Sequence, residues 1–68
     1  MDVHLMTITV NYLQRPSPGY TPRRPLTLHN VESVHDAGVH MVRVRMMFSD
    51  NHTIQDHVAG ISIKPETE

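Results

Sequence analysis

The segment Met41-Val42-Arg43-Val44-Arg45-Met46-Met47-Phe48 alternates between two kinds of side chain with a period of two residues. Successive side chains of a β-strand point to opposite faces, so this alternation predicts a strand with one buried face. The predicted core face consists of Val42, Val44, Met46 and Phe48, and the predicted outer face of Met41, Arg43, Arg45 and Met47. The outer face therefore carries residue types that suit a contact surface.

Four more strands are predicted around this one. In residues 3–13 the even positions are mostly apolar, and β-branched residues are frequent, which favours a strand. Residues 26–35 alternate at first, but Val31 and Val34 break the parity, which indicates a bulge. No stretch shows a sustained helical period. The remaining strands are predicted at 52–57 and 61–63, with turns at Asp36-Ala37-Gly38, Ser49-Asp50-Asn51 and Val58-Ala59-Gly60.

The register of the hairpin around Ser49-Asp50-Asn51 follows from which side chains would be buried. A three-residue turn pairs Phe48 with His52, Met46 with Ile54, Arg45 with Gln55, Val44 with Asp56 and Arg43 with His57. This register puts Ile54 on the core face, and its cost is Asp56 on the inward side. A two-residue turn would place Ile54 beside Met47 and put Gln55 and His57 inside. We predict the first register.

The chain of 68 residues allows one domain, predicted at 1–64, with a polar tail at 65–68. Residues 14–25 carry four of the five prolines and are predicted to form a loop within the domain. A chain this short buries only about 60 % of its unfolded surface, so a partner copy would help its stability. The chain has no cysteine, so no disulfide can take that place.

The order of the predicted elements is strand, long loop, bent strand, short turn, long strand, short turn, strand, tight turn and short strand. This order resembles the small barrels of the Src-homology-3 type. We therefore predict an all-β fold, a small antiparallel barrel or half-open barrel of about five strands. A flat antiparallel sheet completed by dimerisation is the alternative. The aromatic-lined groove of that family is absent, since the aromatic residues are only Tyr12, Tyr20 and Phe48, so its peptide-binding function is not implied.

A second resemblance concerns Leu26-Thr27-Leu28-His29-Asn30-Val31-Glu32-Ser33-Val34, the Arg-bearing strand and Val58-Ala59-Gly60-Ile61-Ser62-Ile63. This sequence is similar in style to the small β-rich accessory proteins of bacteriophages, which are mostly of unknown function. The resemblance implies a viral protein that acts by binding a host or viral component.

Charge and composition argue against several classes of function. The formal net charge of -1 gives no overall basic field for nucleic acid or anionic lipid. Apolar runs are too short to cross a bilayer, and the N-terminus lacks the basic start of a signal peptide, so we expect a soluble, cytoplasmic protein. Neither a Gly-rich phosphate loop nor a recognisable nucleophile turn is present, so we expect no enzyme and no cofactor.

Two groups of residues are predicted to bind a partner. One lies in the proline-rich loop, where Pro22-Arg23-Arg24-Pro25 would form a stiff extended segment. The other is the outer face of the central strand. The predicted partner-binding residues are Arg15, Tyr20, Arg23, Arg24, Met41, Arg43, Arg45 and Met47. The favoured function is a non-catalytic protein-binding module, as a homodimer or in complex with another protein. A nucleic-acid-binding small barrel using the same arginines is the alternative.

The six histidines define the third hypothesis, a histidine-metal protein. No two of them have the two-residue spacing that one strand face requires. The best available set is His35 and His40 with Asp36 between them, and we predict no metal site. Full protonation of six histidines would raise the net charge to about +5 near pH 5.

Overall fold

The computed structural model describes residues 4–15, 18–47 and 52–66. Within these ranges the chain forms one antiparallel sheet of five strands and no helix. The strands are β1 (Met6–Tyr12), β2 (Leu26–Gly38), β3 (Met41–Met46), β4 (His52–Gln55) and β5 (Val58–Pro65). Their order across the sheet is β4-β3-β2-β1-β5, and the sheet is not closed. The predicted all-β fold is confirmed, in its half-open form. The described part of the chain contains no helix able to span a membrane.

The core lies on one face of the curled sheet. Its fully buried side chains are Ile8, Val10, Val31 and Val44, joined by the nearly buried Tyr12, Val42 and Val58. Burying one such aliphatic side chain contributes about 1.5–3 kcal/mol. The alternation predicted in β1 and β3 is confirmed, since their buried residues lie two positions apart. Phe48, the last member of the predicted core face, lies outside the described residues.

The sheet curls because β5 begins next to the turn between β2 and β3. The Val58 N–H donates to the His40 carbonyl at 2.9 Å, and the Leu13 N–H donates to the His57 carbonyl at 2.8 Å. Only Asp56 and His57 separate β4 at one edge of the sheet from β5 at the other. The turn predicted at Val58-Ala59-Gly60 is wrong. His57 itself adopts the left-handed conformation, with φ 57°, so the chain turns before Val58 and not at Gly60.

Strand β2 contains the predicted bulge. Its register with β1 shifts between the pairs Met6↔Val31 and Ile8↔Leu28, where Asn30 has φ 55°. The turn predicted at Asp36-Ala37-Gly38 is wrong, because β2 continues to Gly38 and Asp36 pairs with Val42.

The turn between β2 and β3 lies at residues 39–40, where His40 has φ 55°. Gly38 serves a second bulge with φ 153°, a value that favours glycine. A Cβ at this position would lie 3.2 Å from Met41 Sδ. Gly38 therefore lies in a bulge immediately before the turn, and the turn itself is formed by residues 39–40.

The predicted register between β3 and β4 is also wrong. The observed pairs are Val42↔Gln55, Arg43↔Ile54, Val44↔Thr53 and Arg45↔His52. Gln55 is therefore buried, at 7 % exposure, and Ile54 is 45 % exposed. The physical reason is that the buried Tyr12 hydroxyl donates to Gln55 Oε1 at 2.5 Å. The predicted turn at Ser49-Asp50-Asn51 lies outside the described residues.

Strand β5 is longer than the predicted 61–63. Pro65 still pairs with Met6, and the Glu66 N–H donates to the Leu5 carbonyl at 2.9 Å. The predicted boundary between domain and tail, after residue 64, therefore falls inside β5.

The Tyr12–Gln55 bond can be tested by removing its donor. We expect Tyr12→Phe to lower the free energy of unfolding by about 1–3 kcal/mol, because the Gln55 amide oxygen then stays buried without a partner. Urea denaturation followed by circular dichroism measures the change. The double variant Y12F/Q55L leaves no unpaired group and should be more stable than Y12F. Unchanged stability in Y12F would contradict the pairing.

Candidate functional site

The outer face of β2, β3 and β4 carries two rows of exposed or half-exposed side chains. Directly opposed residues of antiparallel strands share a face, so the register defines both rows. The first row is His35, Arg43 and Ile54, and the second is Ser33, Arg45 and His52. We call these six residues the outer patch. It lies on the face opposite Val42 and Val44, which are buried.

The outer patch is basic. Arg45 Nε lies 3.2 Å from Glu32 Oε2, and both side chains are partly exposed, so this ion pair contributes little stability. Arg43 makes no ion pair with any described residue. Since Glu32 offsets one of the two arginines, the patch keeps one positive charge near neutral pH.

Ile54 is the unusual member of the outer patch. Ile54 is apolar but 45 % exposed, whereas its polar neighbour Gln55 is buried. Hydrophobic burial alone would predict the opposite. A buried polar residue and an exposed large apolar one are the informative exceptions to hydrophobic burial. Here they occur side by side on β4, next to Arg43. The aliphatic side chain of Ile54 therefore lies directly opposite an arginine, on a strand that is hydrogen-bonded to β3.

The proline-rich loop folds back on the core. Arg23 Cζ lies 4.4 Å from the centroid of the Tyr12 ring, and Arg23 Nε donates to the Tyr20 hydroxyl at 2.8 Å. This hydrogen bond raises the pKa of the Arg23 guanidinium. The Tyr20 ring packs on His57, with ring centroids 4.4 Å apart. We call Tyr12, Tyr20, Arg23 and His57 the loop cluster. It holds the loop against the turn between β4 and β5.

The predicted binding residues do not form one surface. Arg43 and Arg45 lie together on the outer patch, whereas Tyr20 and Arg23 belong to the loop cluster. Arg15 and Arg24 are exposed in the loop. Met41 and Met47 are half-buried. Met41 lines a cleft of ≈ 320 Å³ between the start of β3 and β5, and the Met47 N–H donates to the Asn30 carbonyl at 2.9 Å.

The histidines form no metal cluster in the ranges that the structure describes, where no three His, Cys, Asp or Glu side chains come together. These ranges include His35, Asp36 and His40. The His40 ring already makes a hydrogen bond within the chain, since its Nδ1 lies 3.1 Å from the Val58 carbonyl oxygen. The structure therefore does not bring His35, Asp36 and His40, the best set of ligands available in the sequence, together as a metal site.

Glu66 ties the end of β5 to the bulge in β2. Its Oε2 accepts bonds from Thr7 Oγ1 at 2.5 Å and from the Asn30 N–H at 3.0 Å. His29 Nδ1 lies 3.5 Å from Glu66 Oε1. The bond from Thr7, followed by that from Asn30, holds the pKa of the Glu66 carboxyl below its ordinary 4.5. We call these contacts the Glu66 clamp. They join β5 to β1 and β2, and they involve no residue of the outer patch.

Comparison of the chain with protein-family models, curated proteins and solved structures finds no match. Fold and surface therefore define a class only: an all-β, half-open barrel with a basic, partly apolar patch. The resemblances to Src-homology-3-type barrels and to phage accessory proteins stay predictions.

The Glu66 clamp predicts a pH dependence of stability. Because the folded-state pKa of Glu66 is lowered, its contribution is complete above about pH 4.5 and is lost as the pH falls through the lowered value. Glu66→Gln cannot titrate, so its deficit in melting temperature relative to the wild type should be largest near neutral pH and shrink in acid. Glu32→Gln, at an exposed pair, is the control and should change little. A deficit for E66Q that stays constant with pH would contradict the clamp.

The loop cluster predicts that two adjacent arginines differ in their effect on stability. Arg23→Ala removes the contacts with the Tyr12 ring and the Tyr20 hydroxyl, and should lower the melting temperature. Arg24→Ala removes an exposed side chain of the same type and should leave the melting temperature unchanged. Thermal unfolding of both variants tests the difference, and equal melting temperatures would show that Arg23 does not hold the loop.

Proposed function

We propose that this protein is a non-catalytic binding module whose outer patch recognises an acidic, partly apolar surface on another protein. The supporting observation is the inversion at Ile54 and Gln55 beside Arg43. The Tyr12 hydroxyl accounts for the buried Gln55, but it does not require an isoleucine at the neighbouring outward position, where a polar side chain would leave the core unchanged. The chain instead keeps an aliphatic side chain in solvent, directly opposite Arg43.

The composition of the outer patch favours a protein partner. Arginine is enriched among the residues that dominate interface energies, and an adjacent aliphatic side chain supplies apolar area at the centre of a contact. The charge of Arg43, which has no ion-pair partner in the described ranges of the chain, complements a carboxylate on the partner, and Ile54 complements an apolar recess next to it. All six residues lie on hydrogen-bonded strands, so little ordering is required on binding.

A nucleic-acid partner has less support. Binding of single strands on small barrels relies on aromatic rings that stack on bases. Strands β2, β3 and β4 contain no Phe, Tyr or Trp. Tyr12 is buried under Arg23, and Tyr20 packs on His57. The described tyrosines are therefore engaged within the loop cluster and away from the outer patch.

The proposal predicts which surface substitutions abolish partner binding. Immobilised wild type is compared with Arg43→Glu and Ile54→Ser in quantitative capture from a cell lysate. The matched controls are Arg24→Glu, an exposed arginine in the loop, and Val39→Ser, an apolar residue that is 86 % exposed at a turn. A captured protein is then purified and titrated against each variant.

We expect one captured protein to bind the wild type and both controls alike, and to bind R43E and I54S at least about tenfold more weakly. Binding should also survive nuclease treatment. Equal binding by R43E and I54S would contradict the proposal. Capture that disappears with nuclease and falls steeply with salt concentration would contradict it in favour of nucleic acid.

A further inference from the structure

The outer edge of β5 presents backbone groups that no described strand pairs. The Glu66 N–H bonds to Leu5, and β5 continues in the same register with the pairs Thr7↔Lys64 and Thr9↔Ser62. Hydrogen-bonded and non-hydrogen-bonded pairs alternate along an antiparallel ladder. Lys64, Ser62 and Gly60 therefore bond to β1. Ile61 and Ile63 direct their N–H and C=O groups away from β1, toward the free edge.

This free edge is limited at both ends. Pro65 has no N–H to offer a further strand. At the other end, the Val58 N–H already donates to the His40 carbonyl. Between these limits, Ile61 and Ile63 each offer one donor and one acceptor. The segment is thus nearly symmetric about Ser62.

We propose that two copies of the chain pair through β5, antiparallel and related by a twofold axis at Ser62. In this register Ile61 of each copy lies opposite Ile63 of the other, and four backbone hydrogen bonds form. A register centred on Ile63 would place Pro65 opposite Ile61 and lose a donor. A register centred on Ser62 uses every outward group of the two isoleucines. Such self-complementary contacts are characteristic of twofold dimers.

The side chains fit the same register on the core face. Ile61 pairs with Val10 and Ile63 with Ile8, so both isoleucines extend the core face to the sheet edge. Ile63 is 57 % exposed there. In the dimer, Ile63 of one copy packs beside Ile61 of the other, which removes its exposed apolar surface from water.

On the outer face, the same register keeps like charges apart and leaves space for the long side chain of Lys64. Lys64 lies opposite Gly60 of the second copy, so the two lysines do not oppose each other. A Cβ on Gly60 would meet no atom within 4 Å, and Gly60 pairs with Asn11 on β1. The long Lys64 side chain can therefore cross the glycine toward the Asn11 amide of the other copy. An extended peptide from another protein can also pair with this edge, but the features of the β5 edge would not select any particular peptide sequence.

Light scattering coupled to size-exclusion chromatography tests the dimer over about a hundredfold range of protein concentration. We expect the wild-type mass to rise toward twice that of one chain. Ile63→Lys places a charge at the edge and should stay monomeric. Ile54→Lys is the matched control on β4, at the opposite edge, and should dimerise as the wild type does. A wild type that stays monomeric, or equal behaviour of I63K and I54K, would overturn the proposal.

Amide hydrogen exchange tests the register and does not depend on a variant that folds. As wild-type concentration rises, the amides of Ile61 and Ile63 should become protected, whereas those of Ser62 and Lys64, already bonded to β1, should not change. Protection that does not respond to concentration would contradict the pairing. Dimerisation with no change at Ile61 and Ile63 would place the interface elsewhere and would also contradict it. Loss of the β5 dimer would leave the outer patch intact, so this proposal and the proposed function fail separately.

Discussion

The hydrogen bond from the Tyr12 hydroxyl to Gln55 determines how the two halves of the sheet fit together. Tyr12 follows the alternation of β1 into the core, and a hydroxyl buried there requires a partner. Gln55 supplies it from β4, which is three strands away in the sheet order. Because the period of a strand is two residues, turning Gln55 inward turns Ile54 outward. The exposure of Ile54 in the outer patch is therefore a consequence of one buried polar contact.

The proline-rich loop substitutes for a second layer of structure. A sheet of this size cannot cover the Tyr12 end of its core with its own strands, and the loop cluster does so with polar and aromatic side chains. Arg23 packs across the Tyr12 ring and bonds to Tyr20, which packs on His57. Arginine can do this because its guanidinium is planar and its stem is apolar. Residue types that are common in interfaces thus serve here within the fold.

The sequence was sufficient to predict the features that depend on short-range patterns. The alternation in β1 and β3, the bulge in β2, the all-β class and the outward direction of Arg43 and Arg45 all follow from neighbouring residues. The turns were mispredicted because His40 and His57 adopt left-handed conformations usually left to glycine. The register of β4 was mispredicted because burying Ile54 is the better local choice, and the partner that overrides it is 43 positions away from Gln55. The one available signal was the parity of Tyr12, which places a hydroxyl in the core. Ile54 and His52 were missed as patch residues for the same reason, whereas His35 and Ser33 were missed because the turn between β2 and β3 was predicted at the wrong residues.

The register between β3 and β4 is the central claim, since the buried glutamine, the exposed isoleucine and the outer patch all follow from it. Cross-strand nuclear Overhauser effects in a backbone-assigned NMR spectrum measure it directly. We predict contacts between the backbone protons of Val44 and Thr53 and of Val42 and Gln55. Contacts of Met46 with Ile54 and of Val44 with Asp56 would contradict the register and remove the basis for the patch.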